Sequence, residues 1–323
     1  MSLNQKTNKS LPSDIWNHIM AELTKPLRAP SEDVPNVRWF TEHRLRCLIL
    51  DAAREAKAPS TLSGSTLLRM LIDSKLAHSL SSEKFDWPEG TKPYAIYSLE
   101  FGDIPSISPI ELLQITQASY WRTVICYFTA LAYHELTTQE VPHHHVATLK
   151  EPFRRQQNEI TPNQTANEKS TSARSMGSLL FRYQGVPYCV TQRDPALMPG
   201  IQSVRFSPSC LIRMTTLEQT LLDSLHKPWS CGGPSVIFEA WERGLPLLDD
   251  ARLAYCLKMI GRNDFTRRTG YMLEQFGYVA TDHALQLLLA DAKAKVKRGT
   301  EPTLPLFPDV PSSHRNTTWG ITA

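Results

Sequence analysis

Residues 215–233 read TTLEQTLLDSLHKPWSCGG, residues 239–261 read EAWERGLPLLDDARLAYCLKMIG, and residues 267–277 read RRTGYMLEQFG. Together they spell three or four punctuated helices with no catalytic constellation. Thr215 and Glu218 have the spacing of a capping box, in which the threonine oxygen accepts from a free backbone N–H and the glutamate reaches back to the cap. Leu217, Leu221, Leu222 and Leu225 then fall at i, i+4, i+5 and i+8, an apolar stripe that requires a core. Gly261 and Gly277 each follow such a stripe, where a left-handed residue closes a helix without a Cβ penalty. A small helical module is expected here.

Upstream of it, five short stretches at residues 143–149, 178–183, 186–191, 203–206 and 210–214 are candidate strands. Gln184-Gly185 suits a tight hairpin turn, and the proline at 187 marks the strand after it as an edge. Residues 120–134 (YWRTVICYFTALAYH) are the most apolar run of the chain and predict a core helix. Ser108, Pro109 and Glu111 supply a cap, a first-turn proline and a box glutamate for a helix reaching about residue 118. Residues 152–177 are polar and predict a mobile loop or insertion. A last helix over 282–296 ends in Lys293, Lys295, Lys297 and Arg298, cations suited to a helix C-terminus. A proline-rich, extended tail follows.

The first hundred residues have a different grammar. Ile15, Ile19 and Leu23 predict a leading helix over 14–23, ended by the prolines of 26–35. Leu45, Leu48, Ile49, Ala52, Ala53 and Ala56 form the apolar face of a second helix over 41–56, with Arg44, Arg46 and Arg54 beside it and Pro59 stopping it. Residues 65–76 present Leu67, Leu68, Leu71 and Ile72 on one face and Ser65, Thr66, Arg69, Asp73 and Lys75 on the other. Residues 78–89 are rich in turn formers, and KPYAIYSL at 92–99 alternates like a strand. This predicts a hairpin whose enlarged tip carries the acidic, aromatic EKFDWPEG. Helix, turn, helix and hairpin is the order of a winged helix-turn-helix, whose third helix enters the major groove.

A chain of 323 residues makes two domains or one large one, and its 41% hydrophobic content is enough for proper cores. Net charge of +3 is mildly basic, so nucleic-acid affinity has to come from local patches. Six scattered cysteines form no C-x-x-C pair, which fits buried thiols in a reduced compartment. No secretory h-region and no run of about 20 apolar residues is present, so a cytoplasmic protein is expected, with no membrane contact.

The chain resembles the AbiEi-type antitoxins, through its N-terminal helices and hairpin and through ALAYHELTTQEVPHHHVATL, FRYQGVPYCVTQRDPALMPGIQ, IRMTTLEQTLLDSL and RNTTWGI in that order. The resemblance implies a non-enzymatic transcriptional autorepressor of a toxin–antitoxin or phage-defence system. It would bind inverted repeats upstream of its own operon and counter a co-encoded AbiEii-type nucleotidyltransferase toxin, with self-association on DNA left open. The expected fold is α+β, with a polar tail and leading helix at 1–40 and a winged helix-turn-helix at 41–105. An antitoxin-like mixed α/β domain with a helical C-terminal part follows at 106–300, then an extended tail at 301–323. The alternative is a regulatory module whose winged helix docks a protein.

Ser65, Thr66, Arg69 and Lys75 are the residues placed against DNA, the hydroxyls toward phosphate or base edges and the arginine as a fork for guanine. Arg44 and Arg46 join them as backbone contacts or as ordinary surface charges, and Arg154, Arg155, Arg174 and Arg182 form a second basic stretch. No cofactor and no metal is expected. His143 and His145 alone of the histidine run share a strand face, and a zinc site needs further ligands. His134 reads as packed against a backbone carbonyl, Asp223 as buried or partner-facing, and Gly232-Gly233-Pro234 as a turn that lacks the lysine of a phosphate loop.

Overall fold

The computed structural model describes residues 13–28, 39–80, 84–90, 95–99, 108–113, 123–150, 176–207, 210–312 and 314–323. They fall into two compact units. One is drawn from Met1–Glu83, Lys92–Ala118 and Arg205–Ile212, the other from Lys84–Thr91, Ser119–Val204 and Arg213–Ala323. Both mix helix and strand. The expected polar insertion lies outside the described residues except for 176 and 177, as do Arg154, Arg155 and Arg174 and the chain beyond residue 113 of the helix expected to reach 118.

The first unit runs α1 (Ser13–Arg28), β1 (Trp39–Thr41), α2 (Glu42–Glu55), α3 (Gly64–Asp73) and β2 (Ala77–Ser79). After β3 (Phe85–Asp86), which belongs to the second unit, come β4 (Ile96–Leu99) and the one-turn α4 (Pro109–Leu112). Strand β4 lies between β1 and β2 and is antiparallel to both, with Phe40 opposite Tyr97 and Ala77 opposite Leu99. Leu45, Ile49, Ala52 and Ala53 of α2 share one core with Leu67, Leu68 and Leu71 of α3, Ile19 and Leu23 of α1, and Phe40, Ala77 and Leu99. A Cβ on Gly64 would sit 3.3 Å from Leu50, so glycine allows the start of α3 its close approach to α2.

Three expectations for this region change. The leading helix continues through residue 28, past the first proline. Ile72 is 38% exposed rather than in the core, because a residue 100° round the helix from Leu71 leaves the buried face. The stretch 85–86 is not the tip of a wing: β3 pairs antiparallel with a strand of the second unit, where Phe85 stacks near Trp87, Phe181 and Tyr183. Its aromatic side chains follow the apolar surface that buries them.

The rest of the chain supplies β5 (Thr123–Ile125), α5 (Tyr127–Tyr133), β6 (His144–Leu149), β7 (Ser178–Tyr183), β8 (Val186–Arg193), β9 (Ile201–Ser207) and β10 (Cys210–Thr215). Helices α6 (Leu217–His226), α7 (Pro234–Gly244), α8 (Asp250–Ile260), α9 (Asn263–Gln275) and α10 (His283–Lys297) follow, then β11 (Leu304–Pro305), β12 (Arg315–Asn316) and β13 (Ile321–Thr322). The large sheet has the order β3-β7-β8-β6-β5-β10-β9 and is mixed, with β6 parallel to β8 and antiparallel to β5.

Here the apolar run 120–134 divides. Thr123, Val124 and Ile125 are β-branched and extend as a strand. Tyr127, with φ 55°, turns the chain into α5. Gln184 and Gly185 both have positive φ, as a two-residue hairpin needs. Strand β8 is nevertheless interior and not an edge. Its parallel pairing with β6 begins at Tyr188, beyond the proline that could not donate. The cap of α6 is Thr216, which accepts from Gln219 N–H, while Glu218 accepts from Asp249 N–H at 3.3 Å and does not close a box on Thr215. The expected extended tail is folded: β11, β13 and β12 form a small sheet, and Leu306, Phe307, Trp319 and Ile321 are buried. Arg267 holds that tail by donating to the carbonyls of Trp319 (2.7 Å) and Gly320 (2.6 Å).

Candidate nucleic-acid interface

Ser63 caps α3 by accepting from Thr66 N–H at 3.2 Å, and its hydroxyl also meets that of Thr66 at 2.9 Å. The capped end sets the rotation of the helix. Leu67, Leu68 and Leu71 turn inward, and Ser65, Thr66, Arg69, Ile72 and Asp73 turn to solvent. Lys75 lies past the Ser74 cap at φ 55° and is exposed.

The structure brings only Arg46 and Ser65 of the six sequence-selected residues into contact, and Arg44, two residues from Arg46 on α2, faces another way. Arg46 donates to Glu42 at 3.3 Å, one turn back on α2, and also to the Ser65 hydroxyl, tying the two helices together. Thr66 is engaged by the cap. Arg44 is half-buried, with its guanidinium 5.5 Å from the centre of the Phe40 ring. Arg69 and Lys75 are exposed and make no hydrogen bond or ion pair with a described residue that would occupy their charge. Arg54 is spent on Asp51 at 2.7 Å. Arg182 donates to the Gly185 carbonyl of its own hairpin at 3.3 Å.

A second polar cluster, in the second unit, was not legible beforehand. Arg193 at the end of β8 donates to Asp223 of α6 at 3.1 Å and to the hydroxyl of Tyr127, and all three are buried. Gln219 donates to the same Asp223 oxygen at 3.0 Å and to Leu197 O at 3.0 Å, and accepts from Gly200 N–H at 3.1 Å. Burial raises the carboxyl of Asp223, and Arg193 and Gln219 oppose that rise without cancelling it. Burial pulls Arg193 down, but the Tyr127 oxygen and Asp223 more than restore it, so the guanidinium is held charged. Of these groups the sequence singles out only Asp223. Its partner lies 30 residues away on a strand and carries no local signal.

Around this pair the histidines are packed, not displayed. His134 Nε2 donates to Thr215 O at 2.8 Å and His143 Nε2 to Ser230 O at 3.1 Å. His143 and His145 share a face with rings 5.9 Å apart, while His144 lies against Tyr188 at 4.8 Å. Burial depresses His144 to about 4, His145 to about 3 and, on α6, His226 to about 2. Burial pushes the thiols of Cys126 and Cys231 well up, so they are poor nucleophiles. Among the described residues no group of three or more His, Cys, Asp or Glu is placed to hold a metal ion. Gly232 and Gly233, both at φ 88°, form the turn into α7. No described helix is long and apolar enough to cross a membrane.

No family model matches the chain. No curated protein matches it either. Among solved structures it is similar to the crystal structure of the RV2827C protein from Mycobacterium tuberculosis, with 13% identity over 97% of this chain and 92% of that one and a TM-score of 0.48.

Proposed function

We propose that the first unit is a winged helix-turn-helix that binds duplex DNA and that the chain acts as a transcriptional autorepressor and antitoxin, not as an enzyme. The observation that carries this reading is the outward face of α3, where Arg69 projects with its charge unspent and Lys75 stands beyond the C-terminal cap. The order α1-β1-α2-α3-β2-β4, with β4 between β1 and β2, supports it, since two adjacent helices followed by antiparallel strands is the order expected of a winged helix-turn-helix. In this reading Arg69 forks onto a base edge and Lys75 meets phosphate. Arg46 and Ser65 act through each other by fixing α3 on α2. The second unit carries the antitoxin role toward a co-encoded nucleotidyltransferase. That part rests on the sequence resemblance to AbiEi proteins alone.

The test is salt-titrated binding to the duplex upstream of the coding sequence beside a scrambled duplex of equal length. Preference for the upstream duplex, weakening with salt in proportion to the phosphates neutralised, is the expected result. Equal, weak binding to both would remove DNA recognition from the account. The antitoxin role is tested separately, by whether co-expression relieves growth arrest caused by an adjacent nucleotidyltransferase reading frame.

A further inference from the structure

Helix α8 buries Leu253, Ala254, Cys256, Leu257 and Ile260. Its opposite face is unusual for a surface helix. Tyr255 is 53% and Met259 54% exposed, and Leu247, just before the helix, is 63% exposed. At 100° per residue, Tyr255 and Met259 lie side by side, with Arg252 flanking one edge and Lys258 the other. Between residues 251 and 260 the helix has no acidic residue. Arg252 is half exposed and reaches Glu218 only at 3.9 Å, and Lys258 is exposed. An apolar centre within a charged rim is the anatomy of a protein interface, and tyrosine, methionine and arginine are residue types enriched there.

We infer that this face of α8 docks an acidic protein, one that presents an apolar side chain between carboxylates. Charge decides the occupant. In a two-fold pairing with a second copy, antiparallel helices centred on Tyr255 would set Arg252 against Lys258 of the other copy, a like-charge contact at both rims. Nucleic acid would answer the cations but leave Tyr255 and Met259 unpaired with apolar surface. An acidic protein satisfies both. The inference does not depend on DNA binding by the first unit.

The experiment places a photoreactive phenylalanine at position 255, and at the exposed Glu242 of α7 as control, in the full chain expressed in its own host. The captured protein is then purified and its affinity measured for the unmodified chain, for Tyr255→Ala/Met259→Ala and for Lys258→Glu. All three positions are exposed, so unchanged thermal melting is expected of the variants. The expected result is a protein captured from 255 and not from 242, bound at least tenfold more weakly by both variants and more weakly in high salt. Capture of nucleic acid, of this same chain, or of nothing beyond the control overturns the inference, as does binding that neither variant weakens.

Discussion

The α3 face and the Arg193–Asp223 cluster both set arginine among polar groups, yet they differ in every physical respect that separates recognition from structure. Arg193 is sealed, with its guanidinium divided between a carboxylate and a phenol. Arg69 is exposed, and none of the described residues occupies its fork. A buried pair resists loss because removing one partner strands the other in low dielectric. An exposed cation costs little to remove from the folded chain and matters only to what binds it. The location of unspent charge therefore marks the surface to test.

That contrast can be broken by stability measurements in the second unit. The largest expected effect is on pH. Histidines 144, 145 and 226 have folded values of about 4, 3 and 2, below the ordinary 6.5. The unfolded chain therefore takes up protons that the folded one refuses. Their stabilisation is complete above pH 6.5 and declines as pH falls below it, by roughly 2 kcal/mol per histidine between pH 7 and 5. Urea unfolding at the two pH values measures this, and equal stability would contradict the packing assigned to them. Next, Arg193→Met should destabilise the fold by about 3–5 kcal/mol, and Arg193→Met/Asp223→Leu should recover most of the loss. A single variant within about 0.5 kcal/mol of the unmodified protein would show the pair is not sealed.

In the first unit the expected changes are in binding, not folding. Arg69→Ala should weaken duplex binding by roughly 1–3 kcal/mol if it forks onto guanine, with a melting curve that does not move. Lys75→Ala should reduce the salt slope by about one phosphate contact across all sequences. Ser65→Ala should change binding least, because its hydroxyl is held by Arg46 on α2. A loss at Ser65 as large as at Arg69 would return that hydroxyl to the DNA interface.

The difference between the two regions also explains what could be read in advance. Caps and stripes are local, so α2, α3, α8 and α9 were legible from Leu45 and Ile49, from Leu67 and Leu71, and from Gly261 and Gly277. So were β7, β8 and the Gln184-Gly185 turn. What failed was decided at long range. The run 120–134 reads as one helix until Tyr127 is seen to turn between a strand and α5. The aromatic Phe85 and Trp87 look like a wing tip until β7 supplies their apolar neighbours. Trp319 reads as tail until Gly270, which has no Cβ to collide with the indole, is found beneath it. At the candidate site the residue types were readable, but their division into spent and unspent was not. Nothing in the sequence ties Arg46 to Ser65 across a turn, or Arg193 to Asp223 across 30 residues.

The most direct measurement is the affinity of the full chain and of Arg69→Ala for the upstream duplex and for its scrambled counterpart over a range of salt concentrations. The unmodified protein is expected to prefer the upstream duplex, and Arg69→Ala to lose this preference while keeping its fold. Undiminished preference in the variant would contradict the claim that the unspent charge on α3 is what reads DNA.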